Sequence, residues 1–301
     1  MAALSRRDLT VPGVTTVQTS VSDESPIQFL RYKSATGGLG ATLLTDLTGG
    51  PWRLPRATAT GGATWQGETA TAPTAEAAFD AITLAPSRIS ANSIISKQLV
   101  AQSQPAIEQF IIDELSQAIS TEVDRVALNG SGVAPVPAGV LALPVNAAAT
   151  YAYNARSPNV VFGGPASWSS ILKFEDTLDA GAQVHNDGTY GWCAAPDVRV
   201  KWMGVQKAVN YPSYLWEQPT DQLDGTIAGR KAVSTSQMPA GSIIFGRWSD
   251  ALIGTWAALE LHSNPFVRAV QAENVISLNL LVAVAFKYSS AFVSSSDSAS
   301  Q

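Results

Sequence analysis

The side chains able to carry chemistry are few and far apart. The chain of 301 residues holds two histidines, His185 in the turn-like stretch QVHNDGTYG and His262 at the end of a strand-like run, and a single cysteine, Cys193. A metal site needs further His, Cys or carboxylate ligands at fixed spacing, and neither histidine has them. No G-x-S-x-G elbow and no phosphate-binding G-x-x-x-x-G-K occurs. The Gly37-Gly38-Leu39-Gly40 cluster lacks the preceding strand and following helix that a dinucleotide loop requires. The carboxylates Asp113-Glu114 and Glu122 with Asp124 fall in a helical stretch, where a solvated face is the ordinary explanation. Catalysis therefore has no foothold, no cofactor or metal is expected, and Cys193 reads as a lone buried thiol.

The elements that hold these residues are more telling. Residues Ser103 to Gly130 read as one amphipathic helix, with a core stripe of Ile107, Phe110, Ile111, Leu115, Ile119 and Val123 that continues to Val126 and Ala127 at a 3.6-residue period. Pro105 suits the first turn, Glu108, Asp113 and Glu114 lie toward the positive end of the dipole, and Asn129-Gly130 offers a left-handed cap. At about 1.5 Å per residue such a rod is about 36 Å long. It needs an extended surface to lean on.

Composition narrows the class. Hydrophobic residues make up 46% of the chain and charged residues only 14%, so the core is ample and much of the surface is neutral. Such a surface suits burial against further copies of the chain, and equally a low-charge monomer. A net charge of −5 without Lys/Arg clusters argues against a dedicated nucleic-acid binder. The first 20 residues lack the apolar region of a signal peptide, and no run of 18 apolar residues predicts a membrane span.

In chain order, residues 1–50 read as an extended Thr-, Ser- and Gly-rich arm, with one apolar patch from Pro26 to Tyr32, that either is disordered or lies on a neighbour. Residues from Gly50 to Ser96 read as a long two-stranded ribbon, unstable by itself because nothing covers it. After the long helix and a Pro/Gly loop, the block from Asn159 to Gly246 alternates short helices and strands: a helix from Trp168, a helix beginning at Pro196, two short strands around Asp224-Gly225, and a buried strand in SIIFGRW. Residues ALIGTWAALELHS predict one strand. A second, from Asn274 onward, alternates Ile276, Leu278, Leu280, Val282, Val284, Phe286 and Tyr288 with a less apolar set. Paired antiparallel, the two can cover the long helix, and the polar tail SSSDSASQ is expected to be disordered.

The order of parts carries a resemblance. Pro55-Arg56 with Trp65-x-Gly67-Glu68 stands in the ribbon and Ser96-Lys97-Gln98 before the helix. Leu128-Asn129-Gly130-Ser131-Gly132 and Pro137-x-Gly139-Val140 follow it, and Ile244-Phe245-Gly246-x-Trp248-Ser249-Asp250 comes later with Gly254 and Trp256. Over about Pro26 to Val293 the chain resembles the major capsid proteins of tailed phages, the Hong Kong 97-type (HK97-like) family. That resemblance implies an α+β fold: an N-arm at 1–50, an E-loop at 51–85, a P-domain at 86–155 with a spine helix at 104–129, an A-domain at 156–250, and C-terminal strands at 251–301 returning to the P-domain.

It further implies hexamers and pentamers of this chain in an icosahedral shell around packaged double-stranded DNA, with Arg56, Trp65, Gly67 and Glu68 of the E-loop between subunits. A scaffolding protein, prohead protease, portal and decoration proteins are the partners such shells use, and the expected location is the virion, assembled in the host cytoplasm. DNA contact is expected to be non-specific, with Arg6, Arg7, Arg31 and Lys33 as candidate cations; no membrane is involved. The alternative is an encapsulin-type nanocompartment shell enclosing cargo enzymes. Family members that crosslink covalently use a lysine just after W-x-G-E, where this chain has Thr69, and an acidic helper in the C-terminal strand, which here is apolar around Leu278 to Leu281; no crosslinks are expected. No N-terminal scaffolding segment is recognised, so a protease has removed it or scaffolding is a separate protein.

Overall fold

The computed structural model describes residues 34–59, 65–67, 76, 78–102, 106–143, 165–181, 190–218, 224–256 and 259–298. The chain begins with a one-turn helix α1 (Ala35–Leu39), a short strand β1 (Thr42–Leu44) and the ribbon strands β2 (Trp52–Ala59) and β3 (Ala78–Leu84). Strand β4 (Ser87–Ser96), helix α2 (Lys97–Gln102) and the long helix α3 (Ala106–Asn129) follow. Next come α4 (Trp168–Gly181), β5 (Tyr190–Ala194), α5 (Pro196–Trp202), β6 (Gly225–Ile227), β7 (Arg230–Ser234) and β8 (Ile243–Arg247). The chain closes with β9 (Ala251–Thr255), β10 (Glu260–Asn264), β11 (Glu273–Phe286) and β12 (Phe292–Ser295).

Strand β11 is the axis of the first sheet. Val282 stands between Ser87 of β4 and Thr255 of β9, and Leu278 between Ala91 of β4 and Leu261 of β10. Strands β9 and β10 therefore share one edge of β11 and β4 takes the other, all antiparallel to it; β1 adds to β9 in parallel. The stretch expected to be one strand is described as two, β9 ending at Thr255 and β10 beginning at Glu260; just past β9, Trp256 donates its amide to the Leu281 carbonyl at 3.1 Å and its indole N–H to the Gly50 carbonyl at 3.2 Å. The alternation of β11 holds: Ile276, Leu278, Val282, Val284 and Phe286 are buried, and α3 lies against β4 and β11.

The second sheet runs β12-β8-β5-β7-β6, with β5 and β7 parallel and the other pairs antiparallel. Its core is aromatic. Trp192 stacks on Phe245 at 4.2 Å between ring centroids and meets Phe174 of α4 edge-on at 5.3 Å and Trp202 of α5 at 6.5 Å. Such pairs add about 0.5–1.5 kcal/mol each to what burial supplies. Pro196 opens α5 as expected, because its missing N–H is unpaired in a first turn anyway.

Several expectations are corrected. The ribbon contains only β2 and β3; Ala85-Pro86 breaks the extended segment, and the remainder, β4, joins the first sheet. Part of the presumed arm is core, with Ala35, Leu39 and Leu47 buried and the Leu47 amide bonded to the Thr255 carbonyl at 3.0 Å; the Pro26–Tyr32 patch lies outside the described residues. The short strands of the second sheet turn at Ala228-Gly229 rather than at Asp224-Gly225: φ is +51° and +75° there, as a two-residue type I′ hairpin requires. The polar tail docks as far as Ser298, beyond which it lies outside the described residues: the Ser298 hydroxyl donates to the Gly241 carbonyl at 2.6 Å and the Ser298 carbonyl accepts from the Trp202 indole at 3.1 Å.

Gly130 is needed for close packing rather than for a left-handed cap. A Cβ there would stand 2.2 Å from the Pro137 carbonyl oxygen, and one on Gly139 would stand 2.4 Å from the Gly130 nitrogen. The left-handed residue of this turn is Gly132, at φ +70°.

Candidate functional site

The groups that could do chemistry do not converge. His262 is exposed on β10, with Nε2 3.5 Å from an equally exposed Glu260 carboxylate, and His185 lies outside the described residues. Cys193 is buried in β5, and burial, reinforced by the charge of Asp124, pushes its thiol well above the ordinary range. Among the described residues no group of three or more His, Cys, Asp or Glu could hold a metal ion. The features with functional character are surfaces.

The ribbon is the most exposed of them. Strands β2 and β3 pair from Trp52↔Leu84 to Ala59↔Ala78, with an irregularity between Ala57 and Ala59. At its base, Leu84 is buried with Leu47, Leu252, Trp256 and Ala283 in a small apolar core that Leu54 flanks. Further out, no described residue covers it. Phe79 is 73% exposed, and Trp65, in the connection between the strands, is 103% exposed. Gly67 is also exposed, with open space around its Cα, and Glu68 lies outside the described residues.

Arg56 behaves differently. Its Nη1 donates to the Lys287 carbonyl at 2.7 Å, its Nη2 to Asp80 on the opposite ribbon strand at 3.0 Å, and the guanidinium lies 5.9 Å from the centre of the Tyr288 ring. These contacts fix the ribbon's base to the end of β11. The Ala81 amide, and after it Arg56, hold the Asp80 carboxyl below the usual carboxylate range.

Of the predicted helix stripe, Ile119 is buried and Phe110, Ile111, Leu115 and Val123 are half-buried; nothing is described of the Ile107 side chain. Cover is complete only toward the C-terminal end, where Val126, Ala127 and Leu128 are buried. The motif Ile244 to Asp250 is structural: Asp250, buried, accepts from Arg247 Nε and Nη2 at 2.9 Å each, closing the turn between β8 and β9.

Two further features escaped the sequence reading. The loop between β10 and β11 presents Phe266, Val267 and Val270 to solvent, Val270 at 97% exposure. Three large apolar residues in a stretch without any regular period are the only signal that could have marked it. The other is Asp124, read as a solvated carboxylate and found buried on α3, facing Ser34, Ala35 and Thr36.

Comparison with known proteins gives a consistent result. The model of the Phage capsid family matches residues 39–295. Among curated proteins, the chain is 24% identical over 253 residues to the major capsid protein of Halomonas phage phiHAP-1, covering 84% of this chain and 39% of that protein. It is 25% identical over 242 residues to the major capsid protein of Klebsiella oxytoca phage phiKO2, covering 76% of this chain and 53% of that one. The chain therefore spans about half the length of these relatives or less. Among solved structures, the capsid of an empty GTA particle superposes with a TM-score of 0.72 at 17% identity, covering 89% of this chain and 91% of that one. That likeness shows a shared fold of the Hong Kong 97 type, mixed α and β.

Proposed function

Because the chain belongs to the phage capsid family, we propose that it is the major shell subunit of a tailed double-stranded DNA phage, assembling as hexamers and pentamers into an icosahedral head around the packaged genome. The observation that carries this reading is the ribbon. Among the described residues it is a two-stranded sheet anchored at its base alone, with Trp65 and Phe79 uncovered. Two strands without a second layer are marginal in water, and apolar residues of this size are stabilised by contact with another molecule. A closed shell supplies that contact repeatedly, because each subunit's projection lies on a neighbour that projects in the same way.

The parts take their roles accordingly. Residues 51–85 form the E-loop, with Trp65, Gly67 and Glu68 on the neighbouring subunit and Arg56 at its root. The first sheet with α3 forms the P-domain, residues 86–155 with the strands of 251–286. The second sheet and its helices form the A-domain, 156–250 completed by β12, and the residues before Ser34 form the N-arm. The subunit works by binding its own copies and carries out no catalysis; contact with DNA is through dispersed cations and is sequence-independent. The virion is its location and the host cytoplasm its place of assembly, with scaffolding, protease, portal and decoration proteins as the partners such a shell employs.

Electron cryomicroscopy of the purified protein tests this. Closed shells or capsomers are expected, and shells recovered from infected cells should contain double-stranded DNA. A discrete monomer at all concentrations overturns the reading, and shells filled with a cargo enzyme in place of nucleic acid replace it with a nanocompartment.

A further inference from the structure

The buried carboxylate of Asp124 takes no part in the surfaces described so far. It is 3% exposed, and its partners come from one short stretch of chain 88 to 90 residues earlier. Ala35 N donates to Oδ2 at 2.6 Å, Thr36 N to Oδ1 at 3.1 Å and Ser34 Oγ to Oδ1 at 3.0 Å; the Thr36 hydroxyl donates to Oδ1 as well. Ser34 Oγ in turn accepts from Gly37 N at 3.2 Å. The three amides so satisfied are those that the start of α1 leaves without intrahelical partners. A helix of one turn does not persist in water by itself. Here it is capped from another helix.

Beyond this cap the same segment grips both sheets. Lys231 of β7 donates its Nζ to the Gly38 carbonyl at 2.6 Å, and the Leu39 side chain lies on Gly191 of β5, where a Cβ would come within 2.7 Å of it. Three residues on, Thr42 pairs with Leu252 of β9. Residues 34–44 thus form a clasp from α3 through the second sheet to the first. The clasp is held by satisfied donors and acceptors at both ends. The carboxylate is filled by the donors of Ser34–Thr36, and losing them would leave a buried charge with too few donors unless water replaced them.

We infer that Asp124 is the positioning residue that holds the clasp of residues 34–44 against both sheets, and that this fixed anchor sets the geometry of assembly. The first half stands on the subunit alone; the second rests on the shell reading. Asp124→Asn and Thr36→Val, compared with the wild-type full chain, test both. Asparagine keeps the shape but turns an NH2 group toward the backbone donors, whereas valine removes a single hydroxyl donor. Hydrogen exchange followed by mass spectrometry should show amides of residues 35–44 exchanging on the order of tenfold faster in Asp124→Asn and less so in Thr36→Val, with residues 276–286 unchanged. Electron microscopy should show shells of mixed diameter or open sheets from the same variants.

Unchanged exchange at residues 35–44 in both variants overturns the anchor. Faster exchange there with shells of wild-type diameter and yield overturns its role in assembly. Should Asp124→Asn be recovered only as aggregate, Thr36→Val decides alone by the same two readouts. A wild-type protein that forms no shells is a failure of the shell reading, and the exchange result still decides the anchor.

Discussion

Arg56 and Lys287 meet through a guanidinium N–H and a backbone carbonyl, 2.7 Å apart and 231 residues distant in sequence. The bond ties the ribbon to the residue that follows β11, and the second arm of the guanidinium, on Asp80, clamps the two ribbon strands together. Arg56→Ala should therefore release the ribbon's base, speeding amide exchange in β2 and β3 and lowering stability by about 1–2 kcal/mol. Arg56→Lys should restore little, since an ammonium cannot hold both acceptors in one plane. Asp80 sets the acid limit. Its lowered carboxyl contributes above the ordinary value of 3.8 and loses that contribution as pH falls through the lowered value, so the protection of ribbon amides relative to their intrinsic exchange rates should be constant from neutrality to about pH 4 and fall only below it.

Leu115 lies near the middle of α3 and is half-buried. Leu115→Pro removes an interior helix bond and costs about 3 kcal/mol or more, which should abolish shell formation as seen by electron microscopy. Leu115→Ala keeps the helix and, at a half-covered position, should cost about 1–2 kcal/mol and leave shells intact. Shells of normal form from the proline variant would disprove the spine role.

Cys193 gives a pH signature at the alkaline end. Burial comes first among the causes that raise its thiol and the Asp124 charge second, so the native state keeps its proton where the unfolded state releases it. Stability should hold below the ordinary value of 9.0 and fall by about 1.4 kcal/mol per pH unit above it. Denaturant melts of wild type and Cys193→Ala between pH 7 and 10 provide the check: the difference in slope should vanish in the variant. The native thiol should also resist a thiol-specific reagent until the protein unfolds.

Thr69 stands where crosslinking relatives are expected to carry lysine, and Leu278 is buried where an acidic helper would fall. Shells boiled in detergent should run as one band at the mass of the single chain. A ladder of multimers would refute the expectation.

The parts legible in the sequence are those whose signal is local and periodic. Strand β11 declared itself because Ile276 through Phe286 repeat every second residue on a buried face, and α5 because Pro196 marks its first turn. The same reasoning misplaced features whose causes lie far along the chain. A carboxylate on a helix reads as solvated until its donors are seen, and those of Asp124 belong to Ser34, Ala35 and Thr36, residues too small to leave a hydrophobic trace. Asn129-Gly130 looks like a cap because the dipeptide suits one, yet the need for glycine arises from the Pro137–Gly139 loop folding back on it. The exposed ribbon follows the opposite logic: its want of a covering layer was readable because two strands by themselves have no second layer. Arg56 belongs to neither group, since nothing in the residues around it marked the distant Lys287 carbonyl as its acceptor.

The parallel pairing of Thr42–Leu44 with Leu252–Gly254 has a consequence for biosynthesis. At the usual rate of translation, the two partners of that ladder leave the ribosome roughly 10–40 s apart. During that interval β1 and the clasp before it have no first sheet to join, and β9 in turn needs residues up to Phe286 for its antiparallel partner. Long-range closure of this kind is slow and comes late. The nascent chain thus lacks a finished first sheet, and, if the chain builds a shell as proposed, polymerisation should be deferred until synthesis has passed residue 286.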